Sequence, residues 1–106
     1  MISTHILDTH LGKPAADVVV KLFTEDGRLV AGAKTNADGR VSDFNMTGFK
    51  AGAYSLEFLT SAYFERLGLD TFFPKAVIHF YVKDASQHFH IPLLISPFAY
   101  STYRGS

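Results

Sequence analysis

Cysteine and tryptophan are both absent from this 106-residue chain. The lack of cysteine excludes disulfide bonds, a thiol nucleophile and zinc sites built on thiolates. It also fits the reducing conditions of the cytoplasm, where we expect the protein to be located. Ten basic side chains are balanced by ten acidic ones. The sequence therefore has no excess of positive charge for a nucleic acid partner, and we expect none.

Long apolar runs are missing as well. No segment approaches the about 20 consecutive apolar residues that cross a bilayer. The segment from Met1 to His5 carries neither the positive charge nor the apolar stretch of a secretory signal. We therefore expect no membrane partner. The length is close to the common size of one domain, so we predict a single domain over residues 1–106.

What the sequence does contain is a series of short apolar segments separated by turn signals, which favours an all-β fold. Residues 17–23 are β-branched and apolar on both faces, a pattern typical of a central strand. Residues 54–58 alternate apolar with polar side chains, as a half-buried strand does. Further strands are predicted over residues 29–33, 40–41, 76–83, 88–95 and 99–103. Roughly seven or eight strands of this kind indicate a β-sandwich.

One segment departs from the strand pattern. Residues 60–67 begin with Thr60 and Ser61, place Tyr63 and Leu67 at helical spacing, and are followed by Gly68. We predict a single short helix there. Several strands are apolar on both faces. Either the protein has a thick core, or the outer faces of the sheets contact another subunit. The sequence leaves both interpretations open.

Histidine is the most chemically versatile residue type here, because imidazole titrates near neutral pH. His88 and His90 lie two residues apart in a predicted strand and so share one face of it. They could form a metal-binding pair, but only Asp84 offers a nearby carboxylate, so we expect no metal. Taken alone, each histidine is equally explained as a hydrogen-bonded surface or interface residue.

Arg40 follows a turn at Asp38 and Gly39. It is either a solvated turn residue or a clamp for a planar anion, which the forked guanidinium suits. The sequence has no Gly-x-Ser-x-Gly elbow, no P-loop and no dinucleotide-binding glycine motif. Composition and spacing by themselves therefore indicate a small neutral β-sandwich and no particular reaction.

Longer motifs resemble those of the 5-hydroxyisourate hydrolases, the enzymic members of the transthyretin-like family. Residues 88–106 read HFHIPLLISPFAYSTYRGS, which is similar to the C-terminal signature of that family. Residues 4–15, THILDTHLGKPA, resemble its N-terminal pattern. Residues 35–40, TNADGR, and 71–74, TFFP, resemble its internal motifs. The similarity extends over essentially the whole chain.

The resemblance implies a fold, an assembly and a reaction. The fold would be an all-β, transthyretin-like (prealbumin) β-sandwich of two four-stranded sheets with one short helix, formed by residues 1–106. The assembly would be a homotetramer, a dimer of dimers, with active sites in the channels between dimers. The reaction would be the metal-independent, histidine-assisted hydrolysis of 5-hydroxyisourate to 2-oxo-4-hydroxy-4-carboxy-5-ureidoimidazoline. No cofactor is expected.

Carried over to this sequence, the resemblance implies catalytic roles for His5, Arg40 and His90. It implies substrate binding by His5, Arg40, Tyr103 and Ser106. Which histidine acts as the general base is left open, and His88 is the less favoured member of its pair. The main alternative is a transthyretin-like carrier of a small ligand without catalysis, and a purely structural sandwich is a further one.

Overall fold

The computed structural model describes residues 1–106. The chain forms nine strands and one α-helix, α1, over Thr60–Arg66. The strands are β1 Ile2–Asp8, β2 Lys13–Pro14, β3 Val19–Thr24, β4 Leu29–Lys34, β5 Arg40–Val41, β6 Gly52–Phe58, β7 Ala76–Val82, β8 Phe89–Ser96 and β9 Ala99–Thr102.

The strands form two sheets, as the sandwich prediction requires. The first sheet has the order β2-β1-β8-β9, with β5 also paired to β1, and the second has the order β4-β3-β6-β7. The first sheet counts five strands because β5, only two residues long, pairs with β1 beside β2. The inner faces meet in a core of aliphatic and aromatic side chains that includes Ile6, Leu22, Leu56 and Leu93. The prediction of an all-β sandwich with one helix is confirmed.

The strand β1 is absent from the strands predicted by pattern, although it lies in the interior of its sheet between β8 and the short strands β2 and β5. Its alternation is hidden because Thr4 and Asp8 are polar yet fully buried. Thr4 Oγ1 donates a hydrogen bond to the carbonyl oxygen of Ile91 at 2.6 Å. Buried polar groups that are hydrogen-bonded are compatible with a core, but a hydropathy pattern does not reveal them.

The predicted strand over residues 17–23 is confirmed as an interior strand, but it begins only at Val19. Asp17 has a φ of 60°, which is incompatible with an extended strand. The predicted helix is also present and ends one residue earlier, at Arg66. It starts at Thr60 as predicted, but the N-cap residue is Leu59 and no side chain caps the helix.

The helix is held to the first sheet by one buried hydrogen bond. The Tyr63 hydroxyl donates to Asp8 Oδ2 at 2.7 Å. The other carboxylate oxygen, Asp8 Oδ1, accepts from the backbone N–H groups of His10 and Leu11 at 2.8 and 3.0 Å. Burial, followed by the hydrogen bond to Asp8, raises the pKa of Tyr63 well above its usual range. These contacts fix the end of β1, whose earlier residues belong to the site described below.

The helix α1 has seven residues, and the protein contains no helix that combines the length and the apolar character needed to cross a membrane.

Candidate active site

Two strand pairings bring distant segments together on the outer face of the first sheet. The parallel pairing of β1 with β8 places Ser3 beside His90. The antiparallel pairing of β1 with β5 places His5 opposite Arg40. Because side chains alternate along a strand, these four residues point away from the core, and neighbours such as Ile6 and Ile91 are buried in it.

The turn that delivers Arg40 requires a glycine. Asn36 Oδ1 accepts hydrogen bonds from the backbone N–H groups of Asp38 and Arg40 at 2.9 and 3.0 Å. Gly39 has a φ of 72°, and a Cβ there would lie 2.5 Å from the carbonyl oxygen of Ile6. Only glycine tolerates both the positive φ and the close approach. The motif at 35–40 thus presses the turn against β1 and sets Arg40 in register with His5.

A polar cleft of about 230 Å³ opens on this face. Every residue that lines it is polar or charged, and these residues are Ser3, Thr4, Arg40, Ser42, His88, His90 and Ser106. The cleft therefore contains three of the residues predicted from the sequence, Arg40, His90 and Ser106. His5 lies at its border, paired with Arg40 and close enough to influence the charge of His90.

The tail of the chain is packed onto His90. The backbone N–H of Gly105 donates to the carbonyl oxygen of His90 at 2.8 Å. A Cβ on Gly105 would overlap the imidazole Cδ2 of His90 and lie 3.1 Å from its Cγ. A glycine is needed here because the ring occupies the space that any other side chain would fill. This packing also carries Ser106 into the polar cleft.

Tyr103, unlike His5, lies on a different groove from the polar cleft. Its side chain is 60% exposed and lines a neighbouring, more apolar groove with Ile78, Phe80, Phe89 and Ile91; His90 lines both this groove and the cleft. Arg104 lines the same groove as Tyr103, and its guanidinium lies 4.9 Å from the centre of the Phe89 ring. Within one chain, the Tyr103 ring is therefore outside the polar cleft.

Three residues of the cleft, Ser3, Thr4 and Ser42, were not singled out from the sequence, and His88 was favoured less than His90. Ser3 Oγ lies 2.7 Å from His88 Nε2 and 2.7 Å from His90 Nδ1, so it bridges the two imidazoles. Ser3 is buried, whereas His88 is exposed. The same-face spacing of His88 and His90 was visible in the sequence. The bridge was not, because it depends on the parallel pairing of β1 with β8.

The surroundings of His5 and His90 lower the pKa of both imidazoles and so favour their neutral forms. Burial is the largest influence lowering the pKa of His90, followed by the positive charge of Arg40 and by His88 and His5. Burial and then Arg40 likewise lower the pKa of His5, while Asp38 acts in the opposite direction. Both histidines therefore stay neutral at pH 7, and each keeps a nitrogen lone pair that can accept a proton.

This arrangement combines proton acceptors with an anion-binding group. A neutral imidazole can take a proton from water, and a guanidinium beside it can stabilise an oxygen on which negative charge develops. No carboxylate joins the histidines to form a group of three metal-ligating side chains. The cleft is therefore suited to the hydrolysis of a small, polar, oxygen-rich molecule.

Similar proteins include 5-hydroxyisourate hydrolases and a transthyretin bound to thyroxine. The chain is 41% identical to a probable 5-hydroxyisourate hydrolase of Schizosaccharomyces pombe, over 99% of this chain and 90% of that protein. Its structure resembles that of Klebsiella pneumoniae 5-hydroxyisourate hydrolase, with a TM-score of 0.91, 45% identity and coverage of 99% and 98% of the two chains. It also resembles sea bream transthyretin in complex with thyroxine, with a TM-score of 0.89, 33% identity and coverage of 98% and 93%.

Residues 2–105 match the family model described as HIUase/Transthyretin family. The match covers nearly the whole chain. The similarity in sequence and in structure to the hydrolases named above supports the same family. The chain belongs to the HIUase/transthyretin family.

Proposed function

We propose that this protein hydrolyses 5-hydroxyisourate to 2-oxo-4-hydroxy-4-carboxy-5-ureidoimidazoline, a reaction of urate and purine degradation. The observation that carries the proposal is the convergence of Arg40 and His90 in one polar cleft, with His5 paired to Arg40 at its border. The hydrolases from Schizosaccharomyces pombe and Klebsiella pneumoniae support it through their similarity over almost the full length of the chain.

The chemistry is that of a cyclic amide hydrolase. A neutral imidazole, His5 or His90, removes a proton from water as the water oxygen adds to a ring carbonyl carbon. Arg40 stabilises the negative charge that develops on the carbonyl oxygen. When the intermediate collapses, the ring C–N bond breaks and the imidazolium returns its proton to the departing nitrogen. One water is consumed, and a carboxylate and a ureido group are formed.

Substrate binding is assigned to His5, Arg40, Ser106 and Tyr103. The guanidinium of Arg40 suits the carbonyl edge of a flat, polar ring, and the Ser106 hydroxyl, in the same cleft, can help to orient that ring. Tyr103 lies outside the cleft within one chain. Its part in binding therefore requires either its backbone or a contact across a subunit boundary.

We further propose that the protein assembles as a homotetramer, a dimer of dimers. Large aromatic side chains are exposed on a single chain, among them Phe72 at 72%, Tyr81 at 71% and Phe98 at 67%. The seven-residue strand β7 also ends its sheet with one backbone edge unpaired. Exposed apolar surface and open edges of this kind are typical of subunit contacts. Light scattering coupled to gel filtration should give four times the mass of the chain.

A cytoplasmic location stays a prediction from the sequence, which cell fractionation would test.

The alternative of a non-catalytic carrier is less well supported by the cleft. Sites for apolar or aromatic ligands are lined mainly by hydrophobic side chains. The polar cleft contains none, since every residue that lines it is polar or charged. Three of these residues also have groups suited to acid–base or anion chemistry.

The test is a spectrophotometric assay of freshly prepared 5-hydroxyisourate, because the substrate also decays on its own. The wild-type protein should accelerate the decay, and His90→Asn should lose most of that acceleration while keeping the wild-type mass and melting temperature. His10→Gln serves as a matched control, because His10 is exposed in a turn outside the cleft. Decay at the spontaneous rate with the wild-type protein, or full activity of His90→Asn, would contradict the proposal.

A further inference from the structure

Ser3 forms an unusual bridge between two imidazoles. Its hydroxyl oxygen is 2.7 Å from His88 Nε2 on one side and 2.7 Å from His90 Nδ1 on the other. Ser3 is only 4% exposed, and both bonds of the bridge are partly buried. His88 is exposed and is the member of the bridge nearest to solvent.

A hydroxyl carries one proton, so this bridge has a direction. Ser3 can donate to only one of the imidazoles and must accept an N–H from the other. If Ser3 donates to His88, then His90 Nδ1 carries the proton and His90 Nε2 has the lone pair. If Ser3 donates to His90, then His90 Nε2 carries the proton instead and can no longer accept one.

We propose that Ser3 and His88 are positioning residues that hold His90 in the tautomer with its proton on Nδ1, leaving the lone pair of Nε2 free to accept a proton. In this arrangement His90 Nδ1 donates to Ser3 Oγ, and the Ser3 hydroxyl donates to His88 Nε2. The inference deepens the proposed function and rests on it, because a base at His90 must present a lone pair to the water.

The positive charge in the cleft favours this direction. Arg40 lines the same cleft as His90, and its positive charge favours a lone pair over an N–H on the free ring nitrogen. The ring is also held in place from the side of the tail, where Gly105 packs against Cδ2 and Cγ. With Nδ1 engaged by Ser3, Nε2 is the only ring nitrogen of His90 left for chemistry. Hydrogen-bond partners that fix an imidazole in this manner are a recurring device in histidine sites.

The experiment compares paired variants. Ser3→Ala removes the bridge and Ser3→Thr restores a hydroxyl. His88→Leu removes the outer acceptor, whereas His88→Gln keeps a side-chain oxygen that can accept from Ser3. We expect kcat to fall about 10- to 100-fold in Ser3→Ala, with KM little changed and substantial recovery in Ser3→Thr. His88→Leu should lose more activity than His88→Gln.

The decisive readout is independent of activity. Nitrogen-15 NMR of the histidine side chains distinguishes the two tautomers, and wild-type His90 should carry its proton on Nδ1. In Ser3→Ala this preference should disappear, with His90→Asn used to assign the signals. A wild-type His90 protonated on Nε2, or an unchanged tautomer in a folded Ser3→Ala, would overturn the inference. If Ser3→Ala does not fold, the same comparison is made between His88→Leu and His88→Gln.

Failure of the proposed function would look different. A wild-type protein that does not accelerate the decay of 5-hydroxyisourate would remove the reaction while the NMR result still decides the tautomer. An active wild-type protein whose kcat is unaffected by Ser3→Ala and His88→Leu would remove only the positioning role.

Discussion

Replacing Gly105 by Ala should test how far activity depends on the position of the His90 ring. The new Cβ would overlap Cδ2 of that ring and lie 3.1 Å from Cγ and 3.2 Å from the His90 carbonyl oxygen. Ordinary contacts of a Cβ lie at 3.4 Å or more. Either the imidazole or the tail must therefore move by roughly 1 Å, and a misplacement of that size costs on the order of 100-fold in rate. This corresponds to a barrier higher by ~2.7 kcal/mol.

The control for this variant is another glycine-to-alanine exchange. Gly32 is exposed on the edge strand β4 of the other sheet, and a Cβ there would have its nearest contact at 3.8 Å, the carbonyl oxygen of Val20. Gly32→Ala should keep full activity. Both variants are assayed with freshly prepared 5-hydroxyisourate, and their melting temperatures and masses are compared at one protein concentration. A Gly105→Ala protein with wild-type kcat would refute the argument that the tail holds the catalytic ring.

Four further outcomes are expected. Arg40→Lys should lower kcat/KM by about 100-fold without changing the mass, because a forked donor is lost; wild-type kinetics would remove Arg40 from the mechanism. The acid limb of kcat/KM should lie below pH 6.5, the ordinary pKa of histidine, because burial and Arg40 lower the pKa of His90 and keep it neutral until the pH falls further. A limb above that value in a pH–rate profile would contradict this. Tyr63→Phe should lower the free energy of unfolding by about 1–3 kcal/mol while activity per folded molecule is kept, because a buried carboxylate oxygen of Asp8 loses its donor; chemical denaturation would measure it. Deleting residues 103–106 should abolish activity in the decay assay, and an active truncation would show that the tail is dispensable.

Much of the fold could be predicted from local patterns, because turn glycines and alternating apolar residues mark strands directly. β3 was predicted as an interior strand, and α1 within one residue at its end. β1 was missed because Thr4 and Asp8 place polar groups in the core and are satisfied there by hydrogen bonds. A hydropathy pattern indicates which apolar side chains are buried. It does not identify polar side chains that are buried together with a hydrogen-bond partner.

The site was predictable only in part, because it depends on contacts between distant segments. Arg40, His90 and Ser106 were named from motif resemblance, and the structure brings them into one cleft. The bridge through Ser3 needed the register of a parallel strand pair that joins the two ends of the chain. Spacing along the sequence carries no information about such a pairing. The position of the Tyr103 ring, outside the cleft, likewise depends on how the tail turns after β9.

The central claim is that the polar cleft accelerates the opening of 5-hydroxyisourate on one face of the ring. The most direct measurement follows the circular dichroism of the product as freshly prepared substrate is consumed, with and without the wild-type protein. The account predicts faster consumption together with a strong signal from a single enantiomer, since the cleft delivers water from one side. Consumption at the spontaneous rate with a racemic, signal-free product would contradict it.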